Sequence, residues 1–234
     1  MDPRRWRGDR ARPRAGTDLA PRRRYVGRPP LTTFYLIRHG ETSWNVQHRW
    51  QGRHDVPLNP EGERQAEALA RRLAAEAAGI DAIYTSDLSR AARTASIIGD
   101  ALGLVPIPEP TLREIDVGEW TALGSDEIEQ RYQGQLQVWR ESGHTFRFPG
   151  GESVPEVRRR ALQTFERIAQ RHAGGTVAIV SHGVVLNTLL TELRGWDVAE
   201  AWRDGRGRLA NTGLAVVEWD CMADGPPRFD VLQP

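Results

Sequence analysis

Four large apolar side chains, Phe34, Tyr35, Leu36 and Ile37, follow one another and stop on Arg38, His39 and Gly40. An uninterrupted apolar run of this length, bounded by glycine, predicts a strand buried on both faces. The pattern returns at residues 177–180, which run into Ser181, His182 and Gly183. Two His-Gly pairs, 143 residues apart, are therefore expected side by side at one sheet edge. In open α/β sheets the carboxyl edge is where ligands bind.

Between and after these runs the pattern alternates. Residues 41–59 read as a polar loop holding Trp44 and Trp50. Asn59 and Pro60 signal a helix start, Ala66, Leu69, Ala70, Leu73 and Ala77 keep helical spacing, and Gly79 ends it. A strand at 82–84 leads to a helix with Leu88, Ala92, Ala95 and Leu102 on one face, closed by Gly103. Further strands are expected at 104–107 and 214–219, and an extended segment at 112–115. Helices are expected within 125–132 and 135–141, over 184–193, and over 153–172 with a stripe of Val154, Val157, Ala161, Phe165 and Ile168. Pro149, Gly150 and Gly151 break the chain before the long helix. Alternating strands and helices predict an α/β layered sheet.

Composition narrows this picture. At 234 residues, with 39% hydrophobic and 27% charged residues, the chain suits a globular protein with one good core or two small ones. No apolar run approaches the roughly 20 residues of a membrane helix. Cys221 is the lone cysteine, which excludes an internal disulfide and fits a reducing, cytoplasmic setting. The net charge of +1 hides an asymmetry: residues 1–30 hold ten arginines against Asp2, Asp9 and Asp18, while the remainder is net acidic. This Arg/Pro-rich stretch has no periodic apolar face and reads as a disordered leader, 1–30, ahead of one domain, 31–234. Every side-chain cation apart from histidine is arginine, which reads as codon bias and lowers the weight of any arginine count.

The chemistry gathers at predicted strand ends. Arg38 and His39 follow the first strand, Arg90 lies beyond the second, Glu114 follows an extended segment, and His182 ends the fourth. Two histidines, two arginines and a carboxyl fit phosphoryl transfer. Guanidiniums hold the charged equatorial oxygens. A neutral imidazole attacks phosphorus and divides one displacement into two. A carboxyl protonates the leaving oxygen. Amide N–H groups of the 40–42 turn are candidate anion donors.

The run Arg38-His39-Gly40-Glu41-Thr42-Ser43-Trp44-Asn45 resembles the signature of the histidine phosphatase superfamily, phosphoglycerate mutase-like branch, over about residues 33–220. The resemblance implies a three-layer α/β/α sandwich with a mostly parallel central sheet. It implies His39 as the phosphorylated nucleophile, Arg38 and Arg90 as phosphate clamps, His182 as stabiliser of the moving phosphoryl group and Glu114 as proton donor. Asn45 matches the phosphate-pocket asparagine, Gln51 and Gly52 the loop over the substrate, and Gly183 offers a main-chain contact. Family members use no metal and no cofactor, except 2,3-bisphosphoglycerate in the mutases. The expected partner is a small phosphorylated metabolite, with no membrane and no nucleic acid; a homodimer is left open.

Two departures bear on function. Where members often have Trp-Glu-Gly, this chain has Trp120-Thr121-Ala122. Glu114 and His182 are only 68 residues apart, without the longer insertion and basic cluster of the cofactor-dependent mutases, which favours hydrolysis of phosphomonoesters over mutase activity. Mutase activity, and a binding protein using the basic leader as a contact arm, are the alternatives. His48, His54 and Asp55 are close in sequence but do not have a usual zinc spacing. Trp44, Trp50, Trp120 and Trp139 are candidate pocket walls, with packing under loops the plainer reading; Arg158, Arg159 and Arg160 read as a solvated helix face.

Overall fold

The computed structural model describes residues 31–76, 79–219 and 228–229. The leader 1–30, Ala77 and Cys221 lie outside these. In chain order the elements are β1 (Thr32–Arg38), α1 (Ser43–Val46), α2 (Pro60–Ala75), β2 (Ala82–Thr85), α3 (Ser89–Leu102) and β3 (Ile107–Pro108). Then follow α4 (Ser125–Arg131), α5 (Gln135–Ser142), α6 (Val154–Arg171), β4 (Thr176–Ser181), α7 (Gly183–Leu193), α8 (Val198–Asp204), β5 (Leu214–Trp219) and β6 (Arg228–Phe229). The sheet runs β3-β2-β4-β1-β5-β6. The pairings among β3, β2, β4 and β1 are parallel, and β5 and β6 add antiparallel strands at one side.

Strand pleating divides the apolar runs between two cores. Phe34 and Leu36 of β1, with Val177 and Ile179 of β4, face a core shared with α6 and α7. Ile37, with Ala178 and Val180, faces the opposite core, shared with α2 and α3. Both faces of the central strands are covered, so their sequences are continuous in apolar residues rather than alternating. This is the expected three-layer α/β/α sandwich. Among the described residues, no helix is long and apolar enough to cross a membrane.

The strong signals hold. Asn59 Oδ1 accepts from Gly62 N at 2.7 Å and caps α2, and all five predicted stripe residues of α6 are buried. Weaker signals fail for physical reasons. In α3 the inward face is Arg90, Ala91, Thr94, Ala95 and Ile98, with Ala92 and Leu102 only half-buried and Leu88 lying before the helix as its cap. The strand expected at 104–107 shrinks to Ile107–Pro108, because Pro106 and Pro108 have no N–H to give to a ladder and Val105 is exposed. Residues 112–115 form no strand: Pro110 starts a 3-10 turn through Leu112, and Glu114 is carried by the loop that follows. The short helix α8, capped by Asp197 on Glu200 N, is absent from the sequence reading.

Candidate active site

Neighbouring parallel strands bring the two His-Gly pairs together. Arg38 stands in register with Ser181, and His39 and His182 follow side by side with ring centroids 5.1 Å apart. The His39 amide donates to the Ser181 carbonyl at 3.0 Å, and the His39 carbonyl accepts from Asn211 Nδ2 at 3.0 Å. Its Nδ1 lies 2.7 Å from the Gly40 carbonyl. A carbonyl only accepts, so Nδ1 carries the proton and Nε2 keeps its lone pair. Burial pushes the His39 ring well below the usual imidazole range, Arg90 and then Arg38 push the same way, and the Gly40 contact opposes them. The ring is neutral.

His182 is fully buried, and burial, then Arg90, His39, Arg160 and Arg38, hold it well below the usual range too. Its Nε2 pairs with Ser86 Oγ at 2.8 Å, and its Nδ1 is buried without a partner. It does not wall the cavity beside His39 but stands behind it.

That cavity, of about 180 Å³, is lined by Arg38, His39, Asn45, Gln51, Gly52, Arg90 and Glu114, together with His48, Arg49, Trp50 and Val184. Gly183 lines an adjoining cavity instead. Arg90 is 1% exposed, and its two terminal nitrogens donate to the carbonyls of His54 (2.8 Å) and Gly52 (2.7 Å). Burial lowers its pKa to about 10, against the opposing pull of Glu114 and Asp55. Arg38 donates to the Leu209 carbonyl at 2.8 Å; burial lowers its pKa, with Glu114 opposing. Both guanidiniums keep a buried Nε without a partner, and neither forms a salt bridge among the described residues. Two such cations facing one small cavity call for an anion.

Asn45 Oδ1 accepts from Thr42 N (3.0 Å), Thr42 Oγ1 (3.1 Å) and Asn211 Nδ2 (3.4 Å), which leaves its Nδ2 as the free donor. Glu114 Oε1 accepts from Ile115 N at 2.9 Å, and Oε2 from Val184 N at 3.2 Å. Gly52, at φ +49°, packs where a Cβ would meet Val117 Cγ2 at 2.6 Å, so only glycine sets the carbonyl that receives Arg90.

Several sequence readings are corrected here. The amides of the 40–42 turn are not free for an anion: they donate to Thr94 Oγ1, Gln65 Oε1 and Asn45 Oδ1, each at 3.0 Å. Arg160 is not on a solvated face. It reaches across to the carbonyls of Thr111 (2.7 Å), Arg113 (2.6 Å) and Glu114 (3.1 Å), and pairs with Glu152. Of the four tryptophans, Trp120 is wholly buried core and Trp44 stacks on His54 at 4.7 Å, while Trp50 and Trp139 do wall cavities. Asp55 is used to cap Ser89 N at 2.7 Å, and no metal-holding cluster of His, Cys, Asp or Glu is found among the described residues. Ser86, Asn211, Arg49 and Arg160 were not singled out for the site. Single polar residues in loops, such as Ser86 and Asn211, or one arginine among several on a helix, such as Arg160, carry no periodic signal that would reveal them.

Comparison with known proteins agrees with the geometry. A model of the histidine phosphatase superfamily (branch 1) matches residues 34–223. Phosphoserine phosphatase 1 of Hydrogenobacter thermophilus is 36% identical over 175 residues, 75% of this chain and 82% of that one. A probable phosphoglycerate mutase, GpmB, of Yersinia enterocolitica is 37% identical over 188 residues, 79% of this chain and 84% of that one. The native structure of a mycobacterial glucosyl-3-phosphoglycerate phosphatase superposes with a TM-score of 0.75 at 31% identity, over 86% of this chain and 98% of that chain.

Proposed function

The chain belongs to the histidine phosphatase superfamily, and from that premise we propose that it hydrolyses small phosphomonoesters, without a metal, through a phosphohistidine at His39. The observation that carries the reading is the pair of guanidiniums, Arg90 buried and Arg38 half-buried, without a salt bridge among the described residues, beside a neutral imidazole whose Nε2 lone pair is free. Arg38, Arg90 and the Nδ2 of Asn45 bind the phosphoryl oxygens, with Gln51 at the cavity wall. His39 Nε2 attacks phosphorus in line. Glu114 gives a proton to the departing alkoxide, then takes one from the incoming water as the phosphohistidine is cleaved. Ser86, by donating its hydroxyl proton to His182 Nε2, would leave the proton of His182 on Nδ1, in a ring 5.1 Å from that of His39 and behind the cavity wall.

Hydrolysis is favoured over phosphate return to a second hydroxyl by the short span between Glu114 and His182. A phosphoserine phosphatase and a glucosyl-3-phosphoglycerate phosphatase among similar proteins point the same way. The mutase name of the Yersinia relative keeps isomerisation as the second reading.

The test is a product assay in EDTA on wild type and His39→Ala. 3-Phosphoglycerate, with and without 2,3-bisphosphoglycerate, is run beside other phosphomonoesters, and both free phosphate and 2-phosphoglycerate are counted. Phosphate release that disappears in the variant supports the proposal. Isomer formation outrunning release makes the enzyme a mutase, and release that survives in His39→Ala removes the covalent mechanism.

A further inference from the structure

A second cavity, of about 300 Å³, adjoins the first and shares Arg38, Trp50, Glu114 and Val184 with it. His39 and Arg90 line only the first cavity, and Trp139, Asn187, Trp202 and Arg208 only the second. Glu114, the proposed proton donor, thus stands on the boundary. A phosphate held beside His39 directs its leaving oxygen toward Glu114 and its alcohol into the second space. That space, at ~30 Å³ per water, holds about ten waters, more than a three-carbon alcohol requires.

Its walls have a definite chemistry. Three indoles form a connected surface: Trp50 to Trp139 at 5.3 Å and Trp139 to Trp202 at 4.9 Å, both edge-on. Such walls suit a flat apolar ring face, aromatic or sugar. Asn187 is 4% exposed; its Oδ1 is buried against the Gly207 backbone, and its Nδ2 makes no hydrogen bond among the described residues, which leaves the NH2 group as a donor on the cavity wall. An N–H donor left unpaired at such a wall costs about 1–3 kcal/mol, which a carboxylate oxygen or a water accepting from Nδ2 would offset. Arg208 is exposed on the same cavity and has no carboxylate partner among the described residues. Apart from Glu114 no carboxylate lines the space, while Arg38 and Arg208 both do.

We infer that this cavity is the leaving-group subsite and selects phosphomonoesters of a ring-bearing alcohol that carries a carboxylate, the ring lying on the indoles and the carboxylate reaching Arg208 and the Asn187 amide. The inference rests on the hydrolase reading above. Beyond that reading it assigns the substrate class and the residues that choose it.

The test compares kcat/KM for phenyl phosphate, 4-carbamoylphenyl phosphate, 4-carboxyphenyl phosphate and 3-phosphoglycerate, on wild type, Arg208→Gln and Asn187→Leu. One charge-assisted contact predicts a preference of about tenfold or more for the carboxyl over the carbamoyl probe in wild type. The ratio falls toward unity in Arg208→Gln and decreases in Asn187→Leu. Glucose 6-phosphate against phenyl phosphate tells a sugar face from an aromatic one. Equal turnover of the two substituted probes by wild type overturns the inference while leaving the hydrolase intact. So does 3-phosphoglycerate turned over as fast as the best ring probe, or a carboxyl preference that persists in Arg208→Gln. No phosphate from any probe removes the hydrolase reading, and the subsite with it.

Discussion

Arg160 holds Glu114 from behind: its Nη2 donates to the Glu114 main-chain carbonyl at 3.1 Å, while Nη1 takes the carbonyls of Thr111 and Arg113. One half-buried side chain of α6 thereby fixes a loop that has no regular hydrogen bonding of its own.

Arg160→Gln is expected to lower kcat through the position of the carboxyl, not through its chemistry. A displacement near 1 Å costs about 100-fold. The loss should be greater for alkyl phosphates, whose leaving group needs the proton, than for p-nitrophenyl phosphate. Glu114→Gln should show the same selectivity more strongly, with about 10²–10⁴-fold lost on alkyl esters. Equal losses on both substrate types, read from kcat across a leaving-group series, would count against Glu114 as the acid.

Burial and the two arginines hold His39 and His182 well below the ordinary imidazole range. A lowered pKa means the rings bind protons only at lower pH, so the neutral nucleophile persists as pH falls past about 6.5. The kcat/KM profile, corrected for substrate ionisation, should show no enzyme group titrating near 6.5. Stability behaves differently. The unfolded chain protonates these histidines near 6.5 and the folded one does not, so stability is lost as pH drops below that value. Thermal unfolding of wild type against His182→Asn between pH 7 and pH 5 checks the sign; a wild type whose Tm rises on acidification would refute it.

Ala122 sits at φ +67°, a left-handed conformation that a side chain disfavours, and it occupies the position where the resembled motif has glycine. Its carbonyl receives Arg49, and its amide donates to the Trp50 carbonyl at 2.8 Å. Ala122→Gly should relieve the strain and stabilise the fold by about 1 kcal/mol. Denaturant unfolding measures this; a loss of stability would show that the rim of the cavity is already relaxed.

The fold was largely legible because its evidence is repeated. The α6 stripe spans five inward positions, and the β1 and β4 runs give the same signal twice. The candidate cluster was legible in part through a short run, 38–45, whose Arg38, His39 and Asn45 line the cavity together with Arg90 and Glu114 from other elements. What escaped lies where single contacts decide. Proline, not apolar content, ended the edge strand at Pro108. Arg160 looked like one more solvated arginine, because nothing in a helix sequence tells which cation will find three carbonyls. The 40–42 amides are taken by Thr94 of α3, Gln65 of α2 and Asn45 of α1, contacts between elements that no local pattern encodes. Asn187 and Arg208 bracket α8, the helix that the pattern did not reveal.

Inorganic phosphate should raise the Tm of the wild-type protein, since an anion between Arg38 and Arg90 adds counter-charge to two guanidiniums that form no salt bridge among the described residues. At a concentration of 100 Kd the linkage is worth about 2.7 kcal/mol. Arg38→Gln should show a much smaller rise, and an unchanged wild-type Tm at saturating phosphate would contradict the anion site.

The same unpaired guanidiniums cannot tell an ester that has arrived from an anion about to leave. Under the proposed mechanism, whatever draws the substrate in also detains the cleaved phosphate, and departure means returning two cations, held by carbonyls and countered by Glu114, to water. Under this reading turnover should be braked at its exit, and the resting enzyme in a phosphate-rich surrounding should be an occupied one. Initial rates should accordingly show free phosphate competing with substrate, so that accumulating product throttles its own formation.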